Sequence, residues 1–431
     1  MRILLISQAP VNAGFGSGNT FLNLMDLLDN VEVASVCTRT GESDPRIHCA
    51  FYITEKMLLD NLLRRASVGR CVRPAEGAGT CPGSDRERKI QRFAHRHRWT
   101  LLFWARELLW KVSRWDSPEL NAFLQECRPD IILTSLANHS HINRMTLRIK
   151  EITGAKLVLY AWDNNYTYKQ LILSPLRWIK QAMDRASMRR VAKEADWTYA
   201  VCEDLKQAYE SAFGREFHLL TKGGDFSREA PVKSSCNRPL QLVYTGNLQN
   251  NRWRSLEKIA RVLERINRDG VRARLCIYTG SPLTKAMSRA LNRGESSAVL
   301  GSLPPSDVAR VQSEADMLVH VEATDLKNRL TVRHSFSTKL VDYMAAARPI
   351  LAYGRADSAS IRHLRDHAAA VVAESPEELY DQLTAVWDDE AALIELSRCA
   401  YDCGRMHHEN MLVRNTLAGD LEALLHDPDI V

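Results

Sequence analysis

Short apolar runs alternate along this chain with stretches whose apolar residues recur at helical spacing. Residues 2–7, RILLIS, read as a buried strand. A glycine-rich loop follows, then an amphipathic helix over about 20–29, which Asn19 or Thr20 would cap, and a second strand over 32–36. Residues 51–63 have a helical pattern. Strands are expected at 131–134, 156–161 and 197–201, each leading into a helix, with a long basic helix over 175–193. Alternation of this kind builds a parallel sheet, whose ligands gather at the carboxyl ends of its strands.

The segment 227–239, SREAPVKSSCNRP, has no period and reads as a linker. Beyond it the alternation restarts. Strand 240–244 runs into the polar loop TGNLQNNRWR and a helix over 255–267; strands 272–278 and 298–300 follow, then a helix to 314 capped by Ser306-Asp307, and strand 317–321. The stretch 334–354, HSFSTKLVDYMAAARPILAYG, completes the set. Leu340, Val341, Met344 and Ala345 lie at helical spacing, and Arg348-Pro349 stops that helix before a strand over 350–353. The fold class is therefore α/β, with two Rossmann-like domains whose parallel sheets face a cleft. One spans 1–226 with an irregular basic insertion at about 67–98. The other spans 239–404, and 405–431 is expected to return as a helix to the first.

The length of 431 residues exceeds one ordinary core and agrees with this division. Hydrophobic residues at 45% and charged ones at 26% are a globular balance. No apolar run approaches the roughly 20 residues that span a bilayer, and RILLIS is too short for a signal peptide, so a cytoplasmic location is expected. The ten cysteines are scattered, and Cys399 and Cys403 have no second pair, so neither a metal site nor a disulfide framework is expected. The net charge of +6 is uneven: residues 86–114 hold nine Lys or Arg against two Glu. Such a block favours a negative partner. Within it, the helical stretch 96–115 is apolar around most of its circumference. Burial of most of that stretch is expected, with the basic flank available to an anionic membrane surface or an acidic acceptor. No recognition motif accompanies the block, so nucleic acid is not the expected partner.

Candidate chemistry concentrates at strand ends. Ser335, Ser337, Thr338 and Lys339 place hydroxyls, a cation and backbone N–H groups at a helix start, which suits a phosphate. Gly14, Gly16 and Gly18 allow close backbone approach to a phosphate or sugar. Their spacing is G-x-G-x-G, and the second strand ends in Cys37-Thr38-Arg39 without the acid that binds a ribose, which argues against NAD. His139, His141, Asp163 and Asn164 fall at further strand ends.

In their order, LVYTGNLQNNRWRSLEKI, VLGSLPPSDVARVQSEADMLVHV and SFSTKLVDYMAAARPILAYG resemble the carboxyl-terminal domain of the family-4-like glycosyltransferases of GT-B fold. The resemblance covers most of 239–375 clearly and the amino-terminal half weakly. It implies a donor diphosphate held by Arg252 and Lys339, with Ser337, Thr338 and Asn247 beside it, a base read near Gly301, and the Gly16–Gly18 loop contributing from the first domain. The E-x7-E pair of the family falls on His334 and Asp342; Asp342 keeps the ability to accept from a ribose, whereas His334 cannot act as an anion. The strand-end histidine of the family would be His139 or His141, of which His139 is taken. The implied function is sugar transfer from a UDP- or GDP-sugar, retaining and without metal or other cofactor, to a glycan or lipid-linked acceptor. A non-catalytic binding protein and a nucleotide-sugar epimerase are the alternatives.

Overall fold

The computed structural model describes residues 1–12, 16–74, 80–81, 100–167, 174–226 and 229–426. Most of the expected insertion, and the basic block before Thr100, lie outside the described residues. The chain divides into two compact units: one runs to Leu220 and takes in the chain from Arg414, and the other comprises Thr221–Val413.

The first unit is built on an eight-stranded sheet. In chain order its strands are β1 (Arg2–Ser7), β2 (Glu32–Cys37), β4 (Cys49–Tyr52), β5 (Arg70–Val72), β7 (Ile131–Ser135), β8 (Lys156–Ala161), β9 (Trp197–Ala200) and β10 (His218–Leu219). A two-stranded antiparallel pair, β3 (Gly41–Glu42) with β6 (Thr80–Cys81), stands apart. The spatial order is β10-β9-β8-β7-β1-β2-β4-β5, parallel except for the β4–β5 edge. Ile3 to Ile6, Ile131, Ile132 and Leu157 to Tyr160 are almost wholly buried, because helices cover both faces of a parallel sheet.

Helix α1 spans Gly16–Asp26, so Asn19 and Thr20 lie inside it and do not cap it. The expected helix over 51–63 also resolves differently. Phe51 and Tyr52 belong to β4, and Thr54 caps α2 (Glu55–Arg64), its hydroxyl accepting from the Met57 N–H. Aromatic residues just before a cap signal suit a strand end as well as a helix, and pairing with β2 decides it. Cys49 and Cys71 form a disulfide across the β4–β5 pair, a bond the scattered cysteine spacing gives no hint of.

Helices α3 (Thr100–Val112), α4 (Pro118–Cys127), α5 (Ser140–Thr153), α6 (Pro175–Lys193) and α7 (Glu203–Phe213) complete this part of the chain. In α3, Trp110 is fully buried, but Leu102, Leu108 and Val112 are exposed, so the helix is not mostly interior. Among the described residues no helix is long and apolar enough to cross a membrane.

The second unit holds six parallel strands: β11 (Leu240–Thr245), β12 (Ala273–Tyr278), β13 (Ser297–Gly301), β14 (Met317–Val321), β15 (Ile350–Tyr353) and β16 (Val371–Ala373). Their order, β13-β12-β11-β14-β15-β16, is the doubly wound 3-2-1-4-5-6 arrangement. The intervening helices are α8 (Arg252–Ile266), α9 (Lys285–Leu291), α10 (Pro305–Glu314), α11 (Leu326–Val332), α12 (Lys339–Ala345) and α13 (Ala359–Asp366). Then follow α14 (Pro376–Val386), α15 (Glu390–His408) and α16 (Asn410–His426), the last largely within the first unit. Helix α10 begins at Pro305, so Ser306 and Asp307 sit in its first turn and do not cap it. A core of Leu242, Tyr244, Leu256, Ile259, Leu275 and Val319 fixes α8 against the sheet.

Helix α15 packs on α12 through Gly404. A Cβ there would run into the Phe226 ring and come within 2.9 Å of Met344 Cβ. Gly404→Ala should therefore cost about 1–3 kcal/mol through overpacking. Gly419 in α16 has nothing within 4 Å of an added Cβ. Gly419→Ala should instead gain roughly 0.5–1 kcal/mol by helix propensity. Urea unfolding of the two variants checks both signs.

Candidate functional site

Strand order sets where a ligand of the second unit belongs. Chain connections run outward in opposite directions from β11 and β14, which are neighbours, so a crevice opens beyond their carboxyl ends. The loop after β11 carries Gly246, Asn247 and Arg252, and the residue after β14 is Glu322.

Arg252 and Glu322 close on one another across this point. Nη2 donates to both carboxylate oxygens, at 3.1 and 3.0 Å, and Nε donates to Oε2 at 3.3 Å. Arg252 Nη1 lies 3.5 Å from Asn247 Oδ1, on the loop side of the guanidinium. Glu322 is almost fully buried. Burial alone would raise its pKa, but the Arg252 guanidinium, with His320 and Lys339 helping, outweighs that and holds it down at about 2. His320, two positions earlier and so on the same side of the strand, has Nε2 3.4 Å from Glu322 Oε1. Burial lowers its pKa, against the opposing pull of Glu322.

Lys339 reaches the same place from the start of α12. Its Nζ is 4.3 Å from the centre of the Tyr244 ring and 3.5 Å from the Thr245 carbonyl oxygen. Gly246 makes this approach possible, since a Cβ there would come to 3.0 Å from both Lys339 Nζ and Tyr244 Oη. Burial, and secondarily the Arg252 charge, lower the Lys339 pKa to about 7. The ammonium is thus poised to gain from an anion.

The remaining expected residues take varied places. The backbone N–H of Ser337 donates to Ser360 Oγ at 2.9 Å. Those of Leu340 and Val341 turn back to the Ser337 and Thr338 carbonyls, so the side chain of Lys339 is what α12 directs at the crevice. Asp342 accepts from Lys222 Nζ at 2.5 Å. His334 lies partly exposed in the turn after α11. Gly301 ends the edge strand β13 with φ +91°, a backbone only glycine adopts without strain, and its carbonyl accepts from Thr279 N at 2.7 Å.

In the first unit the corresponding strand reversal lies between β1 and β7, which are paired neighbours. Gly16 opens α1 after β1, and a Cβ on Gly18 would meet the backbone of Asn12, so this glycine serves the loop's own packing. Gly14 lies outside the described residues. His139 stands at the N-cap of α5 after β7 without a side-chain cap bond, its pKa lowered to about 3 by burial and by neighbouring His141. His141 is buried, stacked on Trp110 with centroids 4.8 Å apart and 3.1 Å from Arg106 Nη2. Of the two histidines, His139 is the more open.

Sequence reasoning did not single out Glu322, His320 or Lys222. The signal for Glu322 was present: a carboxylate directly after the apolar run MLVHV, at the carboxyl end of a strand. Among the described residues no cluster of His, Cys, Asp and Glu has metal-site geometry.

The ion pair sets an acid limit on stability. Glu322 has its pKa depressed from 4.5 to about 2 in the folded chain. Its contribution is therefore complete above 4.5 and lost as pH falls towards 2. Arg252→Ala strands the buried carboxylate and should cost about 3 kcal/mol at neutral pH, with a smaller difference from wild type at pH below 4. Urea midpoints across that range test it.

Residues 239–389 match the family described as glycosyl transferases group 1. That match supports sugar transfer as the class of chemistry. No curated protein matches the chain by sequence. Among solved structures, the sucrose-phosphate synthase of Thermosynechococcus elongatus shares 11% identity at a TM-score of 0.63, over 98% of both chains. HepE of Anabaena, in complex with UDP, shares 13% at 0.63, over 98% of this chain and all of that one. The E. coli trehalose-6-phosphate structure bound with UDP-2-fluoro glucose shares 10% at 0.59, over 99% of each. Two doubly wound parallel α/β units, the likeness to these structures and the family match agree with the resemblance read from the motifs: the chain has the GT-B fold, and its second unit carries the sequence pattern of the group 1 glycosyltransferases.

Proposed function

We propose that this protein is a glycosyltransferase that takes a sugar from a nucleotide-sugar donor, a UDP-sugar first among the candidates. The observation that carries the reading is the convergence of Arg252 and Lys339 on the strand reversal of the second unit, within the segment that matches the family. Complexes of HepE with UDP and UDP-glucose, on the same fold, support the choice of nucleotide.

Breaking the bond between sugar and diphosphate develops negative charge on the leaving group. Arg252 and Lys339 would stabilise that charge as fixed cations, with the guanidinium backed by Glu322 so that it need not reorganise during the reaction. Two cations at the diphosphate would neutralise it without a metal ion. Asn247 and Asp342 would hold hydroxyls, and Gly301 the base. Transfer would proceed with retention and without a protein nucleophile, to a glycan or lipid-linked acceptor. His139 and the Gly16–Gly18 loop would act from the first unit.

A second reading, a nucleotide-sugar-binding protein without turnover, draws on one contact. Asp342, which replaces a glutamate of the family pattern, is engaged by Lys222. Donor binding without consumption across acceptor extracts would favour it, and turnover would remove it.

Calorimetric titration with UDP, GDP and ADP tests the primary reading, and absence of binding by all three overturns it. Lys339→Ala and Arg252→Ala should each weaken binding roughly 10- to 100-fold. Binding should also depend on pH in a defined direction. The unliganded Lys339 titrates at about 7, and a bound diphosphate raises that value. Affinity is therefore full below this pH and declines above it, where each nucleotide bound takes up a proton. Titrations at alkaline pH in buffers of different ionisation enthalpy should report this uptake in wild type and lose it in Lys339→Ala.

A further inference from the structure

Helix α6 buries one face and presents an unusual one to solvent. Asp184, Met188, Val191 and Ala192 face inward. Outward, Ile179, Met183, Ala186 and Arg190 follow at i, i+4, i+7 and i+11, and all are exposed. Leu176 and Trp178 extend the apolar part, with Trp178 55% and Ile179 52% exposed. The helix carries six cations, ending in Arg189, Arg190 and Lys193, against one carboxylate, Asp184. That carboxylate is buried and paired with Lys180 at 2.5 Å. The outward face is thus apolar for its first turns, cationic at its end, and free of acids throughout.

The neighbouring helices continue the character. Trp104 and Glu107 of α3 line one small pocket together with Lys180 and Met183 of α6. Helix α3 exposes Leu108, Lys111 and Val112, and Arg114 is exposed just past its end. Arg106 of α3 donates to Glu55 of α2 at 2.8 Å. Helix α2 in turn exposes Leu59, Leu62 and Leu63, ending in Arg64 and Arg65.

We propose that α6, supported by α3 and α2, is a docking face for an anionic lipid bilayer, lying in the plane of the interface. An exposed Trp and aliphatic side chains enter the headgroup boundary, while long cationic side chains keep their heads at the phosphate level. Charge decides between this occupant and a second copy of the chain. Pairing the face with itself would set Arg189, Arg190 and Lys193 of one helix against those of another with only Glu194, just past the helix end, exposed beside them, and the carboxylates of α2 and α3 (Glu55, Asp60, Glu107) half-buried, whereas an anionic leaflet complements the apolar and the cationic halves at once. The proposal does not depend on the nucleotide site, which lies in the other unit.

The test is co-sedimentation of the full chain with vesicles of phosphatidylcholine alone and of an equimolar mixture with phosphatidylglycerol. Wild type should bind the mixed vesicles, bind pure phosphatidylcholine far more weakly, and release as salt rises. Arg190→Ala with Lys193→Ala should weaken binding about 25-fold, at roughly fivefold per cation. Trp178→Glu with Ile179→Glu should abolish it. Unchanged far-ultraviolet circular dichroism and melting temperature establish that the variants fold. No binding of wild type to mixed vesicles, or equal binding by both variants, overturns the proposal. So does a dimer or an acidic-protein complex that the same substitutions disrupt in the absence of vesicle binding. Loss of nucleotide response with vesicle binding intact would overturn the proposed function and leave this one standing.

Discussion

A buried carboxylate is the constraint around which the second unit is arranged. Glu322 sits at the end of a strand whose residues are wholly apolar apart from His320, where an unpaired charge would be expensive. Arg252 answers it from the first turn of α8, and α8 is held there by its own core contacts with the sheet. The pair therefore ties the loop after β11 to the end of β14. It also fixes the edge of the guanidinium that faces Asn247 and keeps a negative charge within reach of Lys339. A cluster holding two cations and one anion is still net positive, which is what a diphosphate site requires before its ligand arrives.

Much of the scaffold was legible because parallel strands buried on both faces leave a strong trace. RILLIS, IILTS, KLVLYA, MLVHV and ILAY are short apolar runs bounded by polar loops, and each is a strand. Errors fell where local signals are shared by two structures. Phe51 and Tyr52 suit a helix or a strand, and pairing with β2 decides in favour of the strand. The glycine loop was read as a cap followed by a helix, whereas α1 begins at Gly16 itself and so includes the intended caps. The Cys49–Cys71 bond depends on an antiparallel edge that no spacing rule contains.

The site was legible in part, for the same reason. Arg252 and Lys339 open helices in segments whose pattern marks them, and the side chains of both reach the carboxyl ends of the central strands of their sheet. Glu322 was missed because its role exists only once β11 and β14 are neighbours. The amphipathic reading of the basic block likewise expected an inward-facing α3, while its exposed leucines and the outward face of α6 emerge only when burial is known residue by residue. Helical period identifies a stripe but not which side of it meets the sheet.

The path of the chain has its own consequence. Helix α16 returns to the first unit, where Asp420 accepts a hydrogen bond from Tyr199 Oη at 2.8 Å and Leu417, Leu421 and Leu424 are buried. The first unit is therefore discontinuous in sequence, and the residues that finish it are made only after those of the second unit. A fragment cut at the linker would retain every strand of the first sheet yet lack part of its covering. During synthesis, that unit must wait, with an apolar surface open, until the whole of the second has been made.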